Sequence, residues 1–231
     1  MGDRPYTILS CGISLDGYLD GAGQERLVLS NREDLERVDA VRAECDAILV
    51  GAATVRNDNP RLVVRGAGHR RHRRSMGLAE TPVKVTVTGS GLLDACGNFF
   101  TTGDSEKLVY CASRSVPGAR CRLGEVATVI DAGEPVSACA MVEDLYARGV
   151  RRLMVEGGGR VHTQFLTADL ADELHLVVAP FFVGTSRAHR FVGDGSFPWN
   201  PDHRARLVET RQIGDVVLLR YSLSNRYAWT S

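Results

Sequence analysis

The stretch Arg151-Arg152-Leu153-Met154-Val155-Glu156-Gly157-Gly158-Gly159-Arg160-Val161-His162 runs from a short apolar segment through a carboxylate and three glycines into a chain able to start a helix. A strand edge followed by glycines and a helix N-terminus forms an anion cradle. Backbone N–H groups point outward with no side chains in the way, and the helix dipole favours negative charge. A tight strand-to-helix turn without any ligand has the same composition, so the stretch needs support from the rest of the chain. It is not the dinucleotide fingerprint G-x-G-x-x-G. His162 stands where the third glycine belongs, and the motif comes late instead of following the first strand.

Upstream of the glycines, strands alternate with helices. Residues 6–13 read as a first strand, and Ser14-Leu15-Asp16-Gly17 as a turn in which Asp16 bonds the local backbone. Ser30-Asn31-Arg32-Glu33 predicts a capping box with Ser30 at the N-cap, opening a helix whose apolar stripe is Leu35, Val38 and Val41. Residues 46–50 form a short buried strand that runs into Gly51-Ala52-Ala53-Thr54 and on to Asp58-Asn59-Pro60, with another extended piece over 61–65. Residues 66–82 read as a loop carrying Arg70, Arg71, Arg73 and Arg74 in solvent. Strands are predicted over 83–87, 107–112 and 126–130. The last leads to a helix with Pro135 near its first position, Ala138, Met141, Val142 and Leu145 as its stripe, and Gly149 just past its end.

Downstream, 160–170 reads as a helix and 172–180 as a strand. Residues 207–210 and 216–221 close the chain as an antiparallel pair around Gly214-Asp215. The fold class expected is therefore α/β, a three-layer domain with a central mixed, mostly parallel sheet and a C-terminal antiparallel hairpin. No linker separates two cores, so residues 1–231 are expected to form a single domain. Sheets of this kind bind ligands at the carboxyl ends of their strands.

Composition narrows the function. Lys plus Arg and Asp plus Glu balance at 28 each, so no global field draws the chain to nucleic acid or to a membrane. No apolar run nears the roughly 20 residues that span a bilayer, and no secretion signal is evident, so a cytoplasmic protein is expected. The six cysteines lack a C-x-x-C pair. Cys45, Cys111 and Cys139 read as buried small hydrophobes, and no metal site is expected. The zinc-deaminase signature H-x-E…P-C-x-x-C is absent.

Four segments taken together resemble one family. They are Gly12-Ile13-Ser14-Leu15-Asp16-Gly17, the run from Gly51 to Arg65, Glu156-Gly157-Gly158-Gly159, and Val177-Val178-Ala179-Pro180-Phe181-Phe182-Val183-Gly184. In this order they resemble the reductase domain of riboflavin biosynthesis, the 5-amino-6-(5-phosphoribosylamino)uracil reductases, which have a dihydrofolate-reductase-like fold. The resemblance covers nearly the whole chain and, without a deaminase segment, implies a stand-alone reductase that works as a homodimer. It implies NADPH as cofactor, held by Gly12, Thr54, Asp58 and Gly157, Gly158 and Gly159. It implies a phosphorylated ribosylaminopyrimidine as substrate, lined by Arg42, Leu62, Arg65 and Glu156.

The residue chemistry agrees with that division. Glycines admit a pyrophosphate, arginines suit a sugar phosphate through paired hydrogen bonds, and Glu156 accepts from the N–H groups of an aminopyrimidine. Asp58 and Glu156 are the candidate catalytic groups for delivering a proton. In this type of fold the adenosine end lies across the carboxyl ends of the middle strands. There Ser90, Ser113 and Arg114 form a candidate receptor for a 2′-phosphate. The chain departs from the family at Ser10, where Lys or Asn is usual, at Asn59, where Asp is usual, and over Gln24-Glu25-Arg26-Leu27, which lacks a Ser and a Trp. Two alternatives stay open: a reductase of the same fold acting on another pyrimidine or pterin, and a nucleotide-binding module without turnover.

Overall fold

A computed structural model describes residues 3–21 and 27–226 of the protein. In chain order the elements are β1 (Tyr6–Ser14), α1 (Arg32–Ala43), β2 (Ala47–Gly51), α2 (Ala52–Asp58), α3 (Ala67–Ser75), β3 (Val83–Thr88), α4 (Asn98–Thr101) and β4 (Lys107–Cys111). After a 3-10 turn at Ser113–Ser115 come α5 (Val116–Leu123), β5 (Thr128–Asp131), α6 (Ala138–Ala147), β6 (Arg152–Val155), α7 (Gly159–Thr167), β7 (Glu173–Ala179), β8 (Arg206–Ile213) and β9 (Val216–Ser222). The chain divides into two compact units, each drawn from separated segments: Met1–Pro5 with Val38–Met154, and Tyr6–Arg37 with Val155–Ser231. The strands are mixed and mostly parallel, as the sequence predicts.

In the first unit the strand order is β5-β4-β3-β2-β6, and β2 to β5 pair in parallel. β2 is buried at all five positions, which fits a strand covered on both faces. The register sets Gly51 opposite Val87, Thr88 opposite Cys111, and Cys111 opposite Asp131, so the loops after β2, β3, β4 and β5 leave from one edge. Ile48, Val50, Phe99, Phe100, Val109, Val116 and Leu123 build the core beneath them. In the second unit the order is β1-β7-β9-β8, with β1 and β7 parallel and β9 antiparallel to both neighbours. Its core is Val177, Ala179, Ile213, Val216 and Leu218.

Several local expectations are corrected. The N-cap of α1 is Asn31, not Ser30: its side-chain oxygen accepts from the Asp34 amide at 2.9 Å, while its amide nitrogen donates to the Ile213 carbonyl. Leu35 is exposed and does not belong to a core stripe, because the buried positions of α1 carry Asp34, Asp39 and Ala43. Residues 61–65 form no strand, and Leu62 has a positive φ of 50°. The basic loop is the helix α3, and Arg73 is 3% exposed within it. Its guanidinium donates to the carbonyls of Ala43, Cys45 and Ala79, the kind of multiple acceptor set its fixed fork of donors suits. Pro135 precedes α6, whose N-cap is Ser137, and Cys139 is exposed. α4 and α5 lie where no helix is predicted from sequence.

β3 alternates Val-Lys-Val-Thr-Val, yet Lys84 and Thr86 are as buried as Val85. The Lys84 ammonium reaches the carbonyls of Phe99 and Thr102 at the end of α4, where a helix carries partial negative charge. Burial lowers its pKa to about 8.

The second unit holds a buried ionic network across β7, β9 and β8. Glu173, 2% exposed, accepts from Arg220 Nε at 2.9 Å and Nη2 at 2.5 Å, from His175 Nε2 at 2.8 Å and from the Tyr6 hydroxyl at 3.2 Å. Arg220 continues to Glu209 at 2.6 Å. Arg37 donates to His175 Nδ1 at 3.3 Å and to Asp34 at 2.7 Å. Arginine can only donate, so Nδ1 accepts and the proton sits on Nε2 facing Glu173. Burial keeps His175 below its ordinary pKa, which agrees with a neutral ring. Burial by itself pushes the Glu173 carboxyl up, but the hydrogen bonds and charge of its partners outweigh it and bring the pKa to about 2.

A carboxylate with a depressed pKa stabilises the fold fully above its unfolded value of about 4.5, and that share is lost as pH falls toward about 2. Glu173→Gln removes the more buried of the two carboxylates that Arg220 bonds, leaving Glu209, and is expected to cost about 1.5–3 kcal/mol at neutral pH. In urea unfolding followed against pH, the variant should show a shallower loss of stability below pH 4.5 than the wild type. Equal slopes would show that the network does not carry this linkage.

Candidate functional site

In the first unit the sequence-selected residues sit along the edge where parallel strands end. Gly51 closes β2 and leads into α2, which carries Thr54 in its first turn and Asp58 as its last residue. Asn59 follows with φ 42°. Its side-chain oxygen accepts from the Asn98 amide at 2.6 Å, and Asn98 donates back to the Asn59 carbonyl at 3.2 Å. The departure at position 59 therefore serves to pin a loop. Leu62 is 3% exposed and packs in the core cluster. Arg42 donates to the Val63 carbonyl at 3.1 Å, and Asp39 accepts from the amides of Arg65 and Gly66 at 2.6 and 2.7 Å. Side chains of α1 thus fix the backbone of 63–66 and leave the Arg65 side chain exposed.

At the end of β3 the Thr88 hydroxyl accepts from the amides of Ser90 and Gly91, and Ser90 is exposed. Ser115 ties the next loop to this one by donating to the Gly89 carbonyl at 2.9 Å. Ser113 and Arg114 are present at the end of β4, but each has an acidic companion. The Ser113 hydroxyl donates to Asp131 at 2.6 Å, and Arg114 pairs with Glu134 at 3.4 Å, both partners largely in solvent. The Ser113 hydroxyl first, and then the Gly133 amide, holds the Asp131 carboxyl below its usual range. Asp131 closes β5, so the strand-end rule that selects Ser113 would have selected it too. Setting the end of β5 at Ile130 from sequence hides it.

In the second unit β6 ends at Val155, Glu156 is half-buried, and the glycines make the turn into α7. Gly157 has φ 120°, a conformation side chains rarely adopt. Gly158 is the N-cap of α7, and no side chain caps this end. A side-chain carbon on Gly159 would overlap the Arg190 carbonyl oxygen. The result is a helix start that, among the described residues, has no side-chain cap, which fits a phosphate or pyrophosphate. Thr163 braces it: its hydroxyl donates to the Gly159 carbonyl at 2.7 Å and accepts from the Gly193 amide at 2.8 Å.

Beneath the turn His162 is fully buried against Phe191, the ring centroids 5.3 Å apart, and burial lowers its pKa to about 4. Gly12 on β1 lies close to Leu29, and a side-chain carbon there would meet Leu29 Cβ at 3.0 Å. Ser10 is buried. Asp16 has a structural part. It accepts from the Ser14 hydroxyl at 2.6 Å and from the amides of Val183 and Gly184 at 3.0 and 2.8 Å; the Ser14 bond leads in holding its carboxyl at about 2. Gln24, Glu25 and Arg26 lie outside the described residues.

The candidates therefore fall into two groups. Thr54, Asp58, Arg42, Leu62, Arg65, Ser90, Ser113 and Arg114 belong to the first unit, whereas Gly12, Glu156, Gly157, Gly158 and Gly159 belong to the second. Asp131, Glu134 and His162 are additions that the structure makes.

Comparison with known proteins bears on what these groups are for. A family described as the RibD C-terminal domain matches residues 5–219. The 2,5-diamino-6-ribosylamino-4(3H)-pyrimidinone 5′-phosphate reductase of Archaeoglobus fulgidus is 37% identical over 183 residues, 78% of this chain and 83% of its own. The protein of that name from Methanothermobacter thermautotrophicus is 34% identical over 223 residues, 95% of this chain and 99% of its own. Among solved structures, a pyrimidine reductase-like protein from Corynebacterium diphtheriae has the same fold, with a TM-score of 0.79 at 24% identity over 94% of this chain and 91% of that one. The chain belongs to the RibD C-terminal domain family.

Proposed function

We propose that this protein is an oxidoreductase of the riboflavin pathway that reduces the ribosylamino group of a pyrimidine 5′-phosphate to a ribitylamino group, with NADPH as cofactor. The observation that carries the reading is the uncapped, glycine-lined start of α7, a phosphate cradle in a chain whose relatives are named as reductases. When bound, the cofactor supplies a hydride. The substrate contributes an open-chain imine, whose C1′ carbon takes the hydride while its nitrogen takes a proton. In this reading Gly12, Thr54, Asp58 and Gly157 to Gly159 hold the cofactor, and Arg42, Leu62, Arg65 and Glu156 line the substrate. Asp58 and Glu156 are the groups proposed to deliver the proton, directly or through water. Residues 1–231 act as one reductase domain, as a homodimer in the cytoplasm. The absence, among the described residues, of a helix long and apolar enough to cross a membrane is consistent with that location.

Substrate choice is proposed to rest on Glu156. A 2-amino-4(3H)-pyrimidinone presents two adjacent N–H donors, a match for the two oxygens of a carboxylate, whereas the uracil form replaces one donor with a carbonyl. The 2,5-diamino substrate named for the relatives is therefore preferred here over the uracil form, which serves as the second reading. The departures from the family pattern at Ser10 and over residues 24–27 keep a third reading, another pyrimidine or a pterin.

Cofactor oxidation with each phosphorylated substrate tests the function. Turnover of the diamino compound is expected, and no hydride transfer to any of these acceptors would leave only a nucleotide-binding module. In the same assay Arg65→Ala should raise KM for the phosphorylated substrate about tenfold, since a charged hydrogen bond contributes about 1.5–3 kcal/mol. A dephosphorylated analogue should change little; equal losses for both would show that Arg65 does not read the phosphate.

The preference for NADPH over NADH is proposed to depend on Arg114, with Ser90 and Ser113 beside it. Its pair with Glu134 is exposed, and such pairs contribute about 0–1 kcal/mol, so a 2′-phosphate can displace the carboxylate. Arg114→Ala should lower affinity for NADPH about tenfold more than for NADH, while Glu134→Gln should raise it. Both effects should shrink with added salt. An unchanged NADPH:NADH affinity ratio in Arg114→Ala, measured by fluorescence titration, places the 2′-phosphate elsewhere.

A further inference from the structure

His162 is a polar side chain beneath the glycine turn that the proposed reaction leaves unused. Its ring is fully buried, and neither nitrogen meets a hydrogen-bond partner in good geometry among the described residues. The backbones of Val155 and Phe191 pull the ring toward its charged form, and burial outweighs them. The ring lies directly under Gly157. A side-chain carbon on that glycine would sit 3.6 Å from His162 Cε1 and 3.9 Å from Nε2. The imidazole therefore fills the space that the missing side chain leaves, with Phe191 packed against it.

Packing alone does not explain an imidazole here. A phenyl ring would fill similar room without burying two polar atoms that lack partners, and such atoms cost stability. Buried polar groups left unsatisfied in a folded protein call for a specific role, and at a binding site that role is to be completed by the ligand or its water. A neutral imidazole is suited to the place. A carboxylate under the turn would repel phosphates, and a lysine would need a counter-ion whenever the phosphates are absent.

We infer that His162 is a positioning residue for the dinucleotide, setting the Gly157 turn from behind with a ring nitrogen whose partner is supplied in the bound state. The inference rests on the reading of the α7 start as the cofactor cradle. Its prediction is a split between stability and binding that a filler residue would not give.

His162→Phe should melt at or above the wild-type temperature yet bind NADPH at least tenfold more weakly by calorimetric titration. In wild-type protein, saturating NADPH should shift the His162 ring nitrogen resonances in a histidine-selective spectrum. A His162→Phe variant that binds within twofold of wild type overturns the inference. If that variant does not fold, the wild-type spectrum decides, and ring resonances that stay in place on saturation overturn it as well. Gly158→Val is the companion variant. Weakened binding there with none in His162→Phe removes the inference about His162 alone, whereas no effect in either removes the cradle with it.

Discussion

The Arg190 carbonyl oxygen occupies the place where a side chain on residue 159 would begin, and much of the proposed chemistry depends on that close approach. Because glycine is required there, α7 starts without a side chain on its first residue. Because its N-cap is also a glycine, no side chain of the cap satisfies its first amides. An uncapped helix start leaves donors that water or a ligand must meet, with the dipole aligned toward negative charge. Thr163 fastens the same corner by bonding Gly159 on one side and Gly193 on the other. A side chain at 159 would push the 190–193 segment off the helix and unmake the brace along with the cradle.

Charge is handled differently in the interior. Arg73, Lys84 and Glu173 are almost wholly buried, and each is surrounded by acceptors or donors that a smaller or neutral residue would leave unmet. Arg73 ties the end of α1 to the loop after α3 through three carbonyls, and Lys84 does the same for the end of α4. Glu173 is the only one of the three that faces opposite charges at close range, which is why its ionised form is favoured while that of Lys84 is disfavoured. Of the arginines over 70–74, Arg73 is buried, Arg70 is partly buried, and Arg71 and Arg74 are exposed. Arg70 bonds the carbonyls of Val64 and Arg65, and Arg74 pairs with Glu80.

The parts of the fold that could be read from sequence are those where local and tertiary signals agree. The glycine turn, the buried β2, the stripe of α6 with Gly149 beyond it, and the closing hairpin all lie close to where pattern and turn chemistry put them. The misreadings share a cause: a side chain whose partner lies far away in sequence. Asn31 outcompetes Ser30 as cap because Ile213 and Asp215 hold its amide in place. Arg73 makes a helix of a polar tract by reaching carbonyls some 30 residues back, at Ala43 and Cys45. The same holds at the candidate site. Thr54, Ser90 and the glycines announce themselves by composition, whereas Asp131 and Glu134 matter only because parallel pairing brings the end of β5 beside the end of β4.

That pairing bears on how the two phosphate-bearing ligands of the proposed function would be told apart. At α7 the donors are backbone amides, which hold a fixed position and cannot be tuned by ionisation, and this suits a pyrophosphate common to every dinucleotide. At the β4 and β5 ends the donors are side chains with carboxylates beside them, so the local field depends on which partner Arg114 keeps. Arg65 differs again: its backbone amide is fixed by Asp39 while its guanidinium stands in solvent, an arrangement that fixes the root of the side chain and leaves its tip adaptable. Hydride transfer gains most from holding donor and acceptor in place and needs no strong acid. Under the proposed function, rigid amide donors would hold the cofactor and adaptable side chains the phosphate that distinguishes each ligand, which meets that need with a net charge of zero.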